Sequence, residues 1–135
     1  MENFIFHHVG IAVRDLNRAI PAYKRLFGYD VISGPFDDPI QKVSVAFLSR
    51  GQGDPVLELV APLGTDSPIA RILKAGGGTY HLCYQVPDIK AAIDHLRENG
   101  SFLISGPLPA VAFKMKEIAW MMTDDAHLLV ELLQA

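Results

Sequence analysis

The chain reads as an α+β domain built from two tandem β-α-β-β-β modules, and three observations predict it. First, H8-V9-G10-I11-A12-V13 returns as H81-L82-C83-Y84-Q85-V86, and V56-L57-E58-L59-V60 as L129-V130-E131-L132-L133, both 73 residues further on. Second, the correspondence runs beyond those segments: Val13, Asp15, Ala19 and Ile20 recur as Val86, Asp88, Ala92 and Ile93, Ala46 as Ala119, and Leu59 as Leu132. Third, I32-S33-G34-P35 returns as I104-S105-G106-P107 at a step of 72, one residue having been lost between helix and turn. Self-similarity sets architecture ahead of local signals, and two copies imply two packed modules rather than a solenoid.

The elements follow in the same order in each module. Residues 6–13 alternate with a period of two, as a strand does. Asp15 caps a helix whose apolar positions Leu16, Ala19, Ile20, Tyr23 and Leu26 keep helical spacing, and Gly28 ends it. Pro21 falls early in this helix, where it delays or kinks the first turn. Strands are predicted over 29–33, 43–49 and 55–60, separated by G34-P35 and by R50-G51-Q52-G53-D54. S67-P68-I69-A70-R71-I72-L73-K74 reads as a short helix before the connector G76-G77-G78. The second module gives strand 79–86, helix 88–98 closed by Asn99-Gly100, and strands near 101–105, 116–122 and 127–133. The whole is one domain, with module 1 about 4–63, a linker helix and glycine connector over 64–78, and module 2 about 79–135.

Composition narrows the function classes. A chain of 135 residues buries a real core without disulfides. A net charge of −3 offers no basic face for nucleic acid. One cysteine excludes a disulfide framework and fits a reducing compartment. No secretory signal is read at M1-E2-N3-F4-I5-F6-H7-H8. No uncharged apolar stretch reaches the roughly 20 residues of a membrane helix. A cytoplasmic protein with no membrane partner is the expectation.

The duplication carries four side chains able to bind a divalent metal: His8 and His81, Glu58 and Glu131. Alternate residues of a strand share a face, so Glu58 sides with Val56 and Val60, and Glu131 with Leu129 and Leu133. An ionised carboxylate buried among such neighbours needs a cation, and neither strand holds a Lys or Arg. A metal between the two modules supplies that charge. Singly, each of the four is better read as a solvated or hydrogen-bonded residue; together, at matching positions of a repeat, they point to a metal. The remaining histidines are read as structural: His95 on an exposed helix face, His127 in a turn after D124-D125, and His7 on the strand face opposite His8. W120-M121-M122 reads as core or cavity lining, Cys83 as a wall residue rather than a nucleophile, and Asp37-Asp38 as a turn. G76-G77-G78 lacks the Lys-Ser/Thr of a phosphate loop.

H8-V9-G10-I11-A12-V13, L57-E58-L59-V60-A61-P62-L63, D66-S67-P68-I69-A70, G76-G77-G78-T79-Y80-H81 and L129-V130-E131-L132 resemble the vicinal oxygen chelate superfamily, and within it the methylmalonyl-CoA epimerases. The resemblance covers nearly the whole chain. It implies an incomplete eight-stranded barrel around a metal-binding cleft, one divalent ion (Co²⁺, Ni²⁺, Mn²⁺, Fe²⁺ or Zn²⁺) on His8, Glu58, His81 and Glu131, and a homodimer. Two segments depart from the epimerases. Ile40 stands where they carry an acidic residue proposed as a proton-transfer base, and V111-A112-F113-K114-M115-K116 replaces their G-A-H-G-K.

The chemistry this implies is proton transfer at the carbon alpha to a carbonyl, with the metal stabilising the enolate. Without an acid at position 40, Glu58 and Glu131 are the candidate catalytic residues, alternating between ligand and base on opposite faces of the enolate. Gln41, Lys42, Lys114 and Lys116 are candidates for an anionic tail such as that of an acyl-CoA, and equally for solvated surface. The alternatives are a glyoxalase I-like lyase on a thiol adduct, favoured by Glu rather than Gln at position 58, and a non-catalytic, resistance-type binding protein. Ring-cleaving dioxygenases of the superfamily use two His and one Glu, so the fourth ligand argues against them.

Overall fold

The computed structural model describes residues 3–125 and 128–135. Its strands are β1 (Ile5–Ala12), β2 (Asp30–Asp38), β3 (Val43–Ser49), β4 (Leu57–Pro62), β5 (Gly78–Val86), β6 (Phe102–Pro109), β7 (Glu117–Met122) and β8 (Leu129–Gln134). Its helices are α1 (Leu16–Phe27), α2 (Ile69–Lys74) and α3 (Ile89–Glu98), with one 3-10 turn at Val111–Phe113. The α+β class and the β-α-β-β-β order of each module are as the repeat predicts. By contact the chain divides into Val9–Tyr80 and a second unit of His81–Ala135 with the residues through His8.

Within Val9–Tyr80 the strands pair in the order β2-β3-β4-β1, antiparallel except for the parallel pair β1–β4. The carboxylate of Asp15 accepts the Asn17 N–H and starts α1, and Gly28 closes it at a positive φ of 80°. Pro21 lies within the helix without ending it. One face of α1 packs Leu16 with Ala19, Ile20 and Tyr23 onto Ile11, Ala46, Leu48, Leu59 and Ala61 of the sheet. Burying each leucine or isoleucine among them contributes about 1.5–3 kcal/mol. Because Leu59 and Ala61 face the helix, Glu58 and Val60 project to the other side of the sheet.

The second unit repeats this plan in the order β5-β8-β7-β6, with β5–β8 parallel. Asp88 starts α3 by accepting the Ala91 N–H. Ile89, Ala92 and Ile93 of α3 cover Val86, Ala119, Met121, Val130 and Leu132. The repeat holds residue by residue in the ladders: Gly10 stands opposite Glu58 and Phe47 opposite Glu58, while Cys83 and Trp120 stand opposite Glu131.

The sequence reading ended two strands too early. β2 and β6 run on through G34-P35 and G106-P107 to Asp38 and Pro109, with shifts of register on both sides of Ser33 and Ser105. A proline lacking an N–H is tolerated because both are edge strands, and the irregular register absorbs the interruption. Asp37-Asp38 therefore ends β2; the turn comes after it. A Cβ at Gly106 would sit 2.7 Å from the Ile118 carbonyl oxygen and 2.9 Å from Ala119 Cα, at a φ of +98°, which is why glycine stands there. His95 is half-buried against Phe4, with ring centroids 6.0 Å apart, rather than on an exposed face. The expected turn at His127 lies outside the described residues. No helix among the described residues is long and apolar enough to cross a membrane.

Candidate metal centre

With α3 covering one face of its sheet, Val130 and Leu132 of β8 are committed to the core beneath the helix, and Glu131 and Leu133 face the opposite way. That opposite face is also apolar: Leu133 packs with Cys83, Ala110 and Ile118, bordered by Leu108, Phe113 and Trp120. Into it β5 sends His81, two residues before Cys83, and β1 sends His8. His8 is 0%, His81 1% and Glu131 3% exposed, so three polar side chains occupy a site that solvent does not reach.

They converge on one point. His8 Nε2 lies 3.2 Å from His81 Nε2, and Glu131 Oε1 lies 3.2 Å from His8 Nε2 and 3.4 Å from His81 Nε2. Burial pushes the Glu131 carboxyl up, but the hydrogen-bonding and charge effects of His8 and His81 outweigh it and hold the group down at about 2. That depression requires positive charge on the imidazole side. A proton on the rings supplies it, and so would a cation bound to two neutral rings. Glu131 Oε1 nevertheless makes no hydrogen bond of proper geometry. A buried carboxylate oxygen left so costs about 1–3 kcal/mol or more, unless an ion takes the place of the donor.

The spacing fits a metal. Nitrogen and oxygen donors bind Zn²⁺-sized ions at about 2.0–2.2 Å, so neighbouring donors on one ion stand roughly 2.9–3.5 Å apart. All three measured separations fall in that range. The donor set, two imidazoles and a carboxylate, suits borderline divalent ions. Aromatic walls fix the rings: Phe113 stacks on His8 at 6.1 Å and 22°, and Trp120 meets His81 edge-on at 4.9 Å and 87°.

Glu58, the remaining predicted ligand, belongs to Val9–Tyr80. It is 5% exposed and turned to the helix-free side of β4. Ile40 lies in the turn after β2 and is 50% exposed. The nearby acids are engaged: Asp38 accepts the N–H groups of Ile40 and Gln41 and the Gln41 side-chain amide, and Asp37 accepts the Ser44 hydroxyl at 2.6 Å. Lys42 donates to Asp66 at 2.5 Å, whereas Lys114 and Lys116 are exposed. Sequence reasoning missed His7, whose Nδ1 lies 2.8 Å from His8 Nδ1, and Phe113, in a 3-10 turn that carried no periodic signal. Strand alternation sends adjacent side chains to opposite faces, but Nδ1 is close enough to the backbone for two neighbouring rings to meet.

An α+β fold of two β-α-β-β-β modules with a buried His-His-Glu cluster defines a class, and residues 7–120 match its family, the Glyoxalase/Bleomycin resistance protein/Dioxygenase superfamily. The chain belongs to that superfamily. Within it the chain is 37% identical over 131 residues to an ethylmalonyl-CoA/methylmalonyl-CoA epimerase of Cereibacter sphaeroides, covering 95% of this chain and 96% of the relative. It is 37% identical to the human mitochondrial methylmalonyl-CoA epimerase, over 96% of this chain and 73% of the relative. The crystal structure of methylmalonyl-CoA epimerase from Mycobacterium tuberculosis superposes with a TM-score of 0.81 at 30% identity, covering 96% of this chain and 86% of that one. The similarity to epimerases supports an epimerase-like enzyme.

Proposed function

We propose that this chain is a divalent-metal-dependent epimerase that moves a proton on and off the carbon alpha to a carbonyl, acting on an acyl-CoA or a similar α-acidic carbonyl compound. The observation that carries the reading is the buried cluster of His8, His81 and Glu131, three donors spaced for one ion, in a relative of acyl-CoA epimerases. Glu58 is the fourth ligand in this reading. Its burial and its place in β4, equivalent to that of Glu131 in β8, support the assignment.

A divalent ion held there would polarise the substrate carbonyl and acidify the neighbouring C–H. The protein's own groups do the rest. His8 and His81 hold their Nε2 lone pairs toward a common point, with Phe113 and Trp120 packed against the rings. Ile40 cannot carry a proton, and the hydrogen bonds that Asp38 accepts from its own turn occupy its carboxylate. Proton transfer therefore falls to Glu58 and Glu131, one on each face of the enolate, as inversion at carbon requires. The flanking imidazoles hold Glu131 in the carboxylate form from which a base must start, while lowering its basicity.

The test is deuterium incorporation into methylmalonyl-CoA by the cobalt-loaded protein in heavy water. Exchange at the alpha carbon, lowered at least ~10²-fold by Glu131→Gln, is the expected result. Intact turnover in Glu131→Ala would remove that residue from the chemistry. Glu rather than Gln at position 58 favours a second reading, a glyoxalase I-like lyase; turnover of a hemithioacetal without exchange into the acyl-CoA would select it.

A further inference from the structure

Both nitrogens of His8 are engaged by other rings. Nε2 faces His81 and Glu131, while Nδ1 lies 2.8 Å from His7 Nδ1. A neutral imidazole carries one proton, and a ring that ligates through Nε2 must carry it on Nδ1. Two nitrogens at hydrogen-bond distance share one hydrogen, so His8 Nδ1 donates and His7 Nδ1 accepts, leaving the His7 proton on Nε2. The opposite arrangement, with His7 donating, would put the His8 proton on Nε2 and aim it into the cluster, where it blocks the lone pair. We propose that His7 is a positioning residue: its Nδ1 accepts the hydrogen bond that locks His8 in the Nδ1–H tautomer and so presents the Nε2 lone pair to the site.

The packing holds this arrangement. The His7 and His8 rings stand at 81° with centroids 5.0 Å apart, so a donor in one ring plane can address a lone pair of the other. Phe113 meets His7 edge-on at 5.6 Å and 87° while stacking on His8, so one aromatic side chain sets both rings. His7 is half-buried, which shields the bond from competing water. The partner of a metal-binding imidazole is commonly a carboxylate or carbonyl. A neutral neighbouring histidine supplies the same acceptor without bringing a second negative charge beside the buried Glu131. Cys83 forms another group of potential donors with His7 and His8. An ion there would need His8 to give up both ring protons while serving the first centre, so the hydrogen bond is the favoured reading of the contact.

The inference rests on the metal-site reading above, and its test separates the two. Histidine ¹⁵N–¹H NMR on zinc-loaded full-length protein reads the His8 Nδ1–H and its hydrogen bond, and calorimetric cobalt titration of the stripped protein reads affinity. Two variants accompany the wild type. His7→Phe keeps the ring against Phe113 but has no acceptor; His7→Asn restores an acceptor oxygen near the Nδ1 position. The expected result is a downfield, slowly exchanging His8 Nδ1–H in the wild type and His7→Asn, and a fast-exchanging one in His7→Phe. Cobalt binding should weaken about 10–100-fold in His7→Phe and stay within about threefold of wild type in His7→Asn. An unchanged His8 Nδ1–H in His7→Phe overturns the inference whatever the affinity does. Two ions per chain, with a thiolate-to-cobalt absorption lost in Cys83→Ser, overturn it in favour of a second centre. A wild type that binds neither zinc nor cobalt removes the metal reading and, with it, the inference.

Discussion

Replacing Glu131 by glutamine in the chelator-stripped protein removes a charge whose environment sets a definite pH dependence. The folded-state pKa is depressed from 4.5 to about 2 by the flanking imidazoles, against the upward push of burial. At about 1.4 kcal/mol per unit, that depression corresponds to stability on the order of 3 kcal/mol. Because the folded pKa is the lower one, the unfolded chain takes up its proton first as the pH falls. The contribution is therefore complete above about pH 5, drains through the window from 4.5 to 2, and is absent below it. By pH 3 about 2 kcal/mol of it should be gone. Glutamine does not titrate, so the stability gap between wild type and Glu131→Gln should be about 3 kcal/mol at pH 7 and about 1 kcal/mol at pH 3. Urea unfolding followed by circular dichroism at pH 7, 5, 4 and 3 measures the gap at each point. A gap independent of pH would refute the argument, because the loss would then come from packing. A variant as stable as wild type at pH 7 would also refute it, showing that the cost of burying the carboxylate equals its electrostatic gain.

Further predictions address the metal, the base and the fold. Adding cobalt at about 100 times its dissociation constant to stripped protein should stabilise it by about 2.7 kcal/mol in a thermal melt, and a chelator should reverse the shift. Glu58→Gln should keep cobalt affinity within about tenfold, because an amide oxygen still ligates, while lowering alpha-proton exchange by ~10² or more in the heavy-water assay. Gly106→Ala should lose more than ~2 kcal/mol in urea unfolding, since the added Cβ meets Ile118 O and Ala119 Cα at a φ closed to alanine. Asp38→Ala should cost about 2–3 kcal/mol in the same measurement, since its carboxylate accepts from the Ile40 and Gln41 N–H groups and the Gln41 side-chain amide, with cobalt affinity unchanged.

The repeat made the fold legible because the duplicated segments are those that bury most. The step of 73 linking Glu58 to Glu131 is the step that preserves register in both parallel pairs, Gly10 with Glu58 and Cys83 with Glu131. Periodicity failed where edge strands pass through glycine and proline, since a breaker stops a central strand but only shifts the ladder of an edge. It failed again at Val111–Phe113, a single 3-10 turn too short to carry a pattern, which nonetheless supplies the ring over His8. At the site, residue type and spacing singled out the histidines and glutamates on which the proposed function rests. What faces the far nitrogen of His8 was hidden, because strand alternation describes where side chains leave the backbone and not how far two adjacent rings can turn toward each other.

In the proposed function, His8, His81 and Glu131, with Glu58, hold one divalent ion. Calorimetric titration of cobalt into chelator-stripped protein tests it most directly, with His81→Ala as the control. Saturation near one ion per chain in the wild type and loss of that binding in the variant are the expected results. No binding, or binding that His81→Ala leaves unchanged, would contradict it.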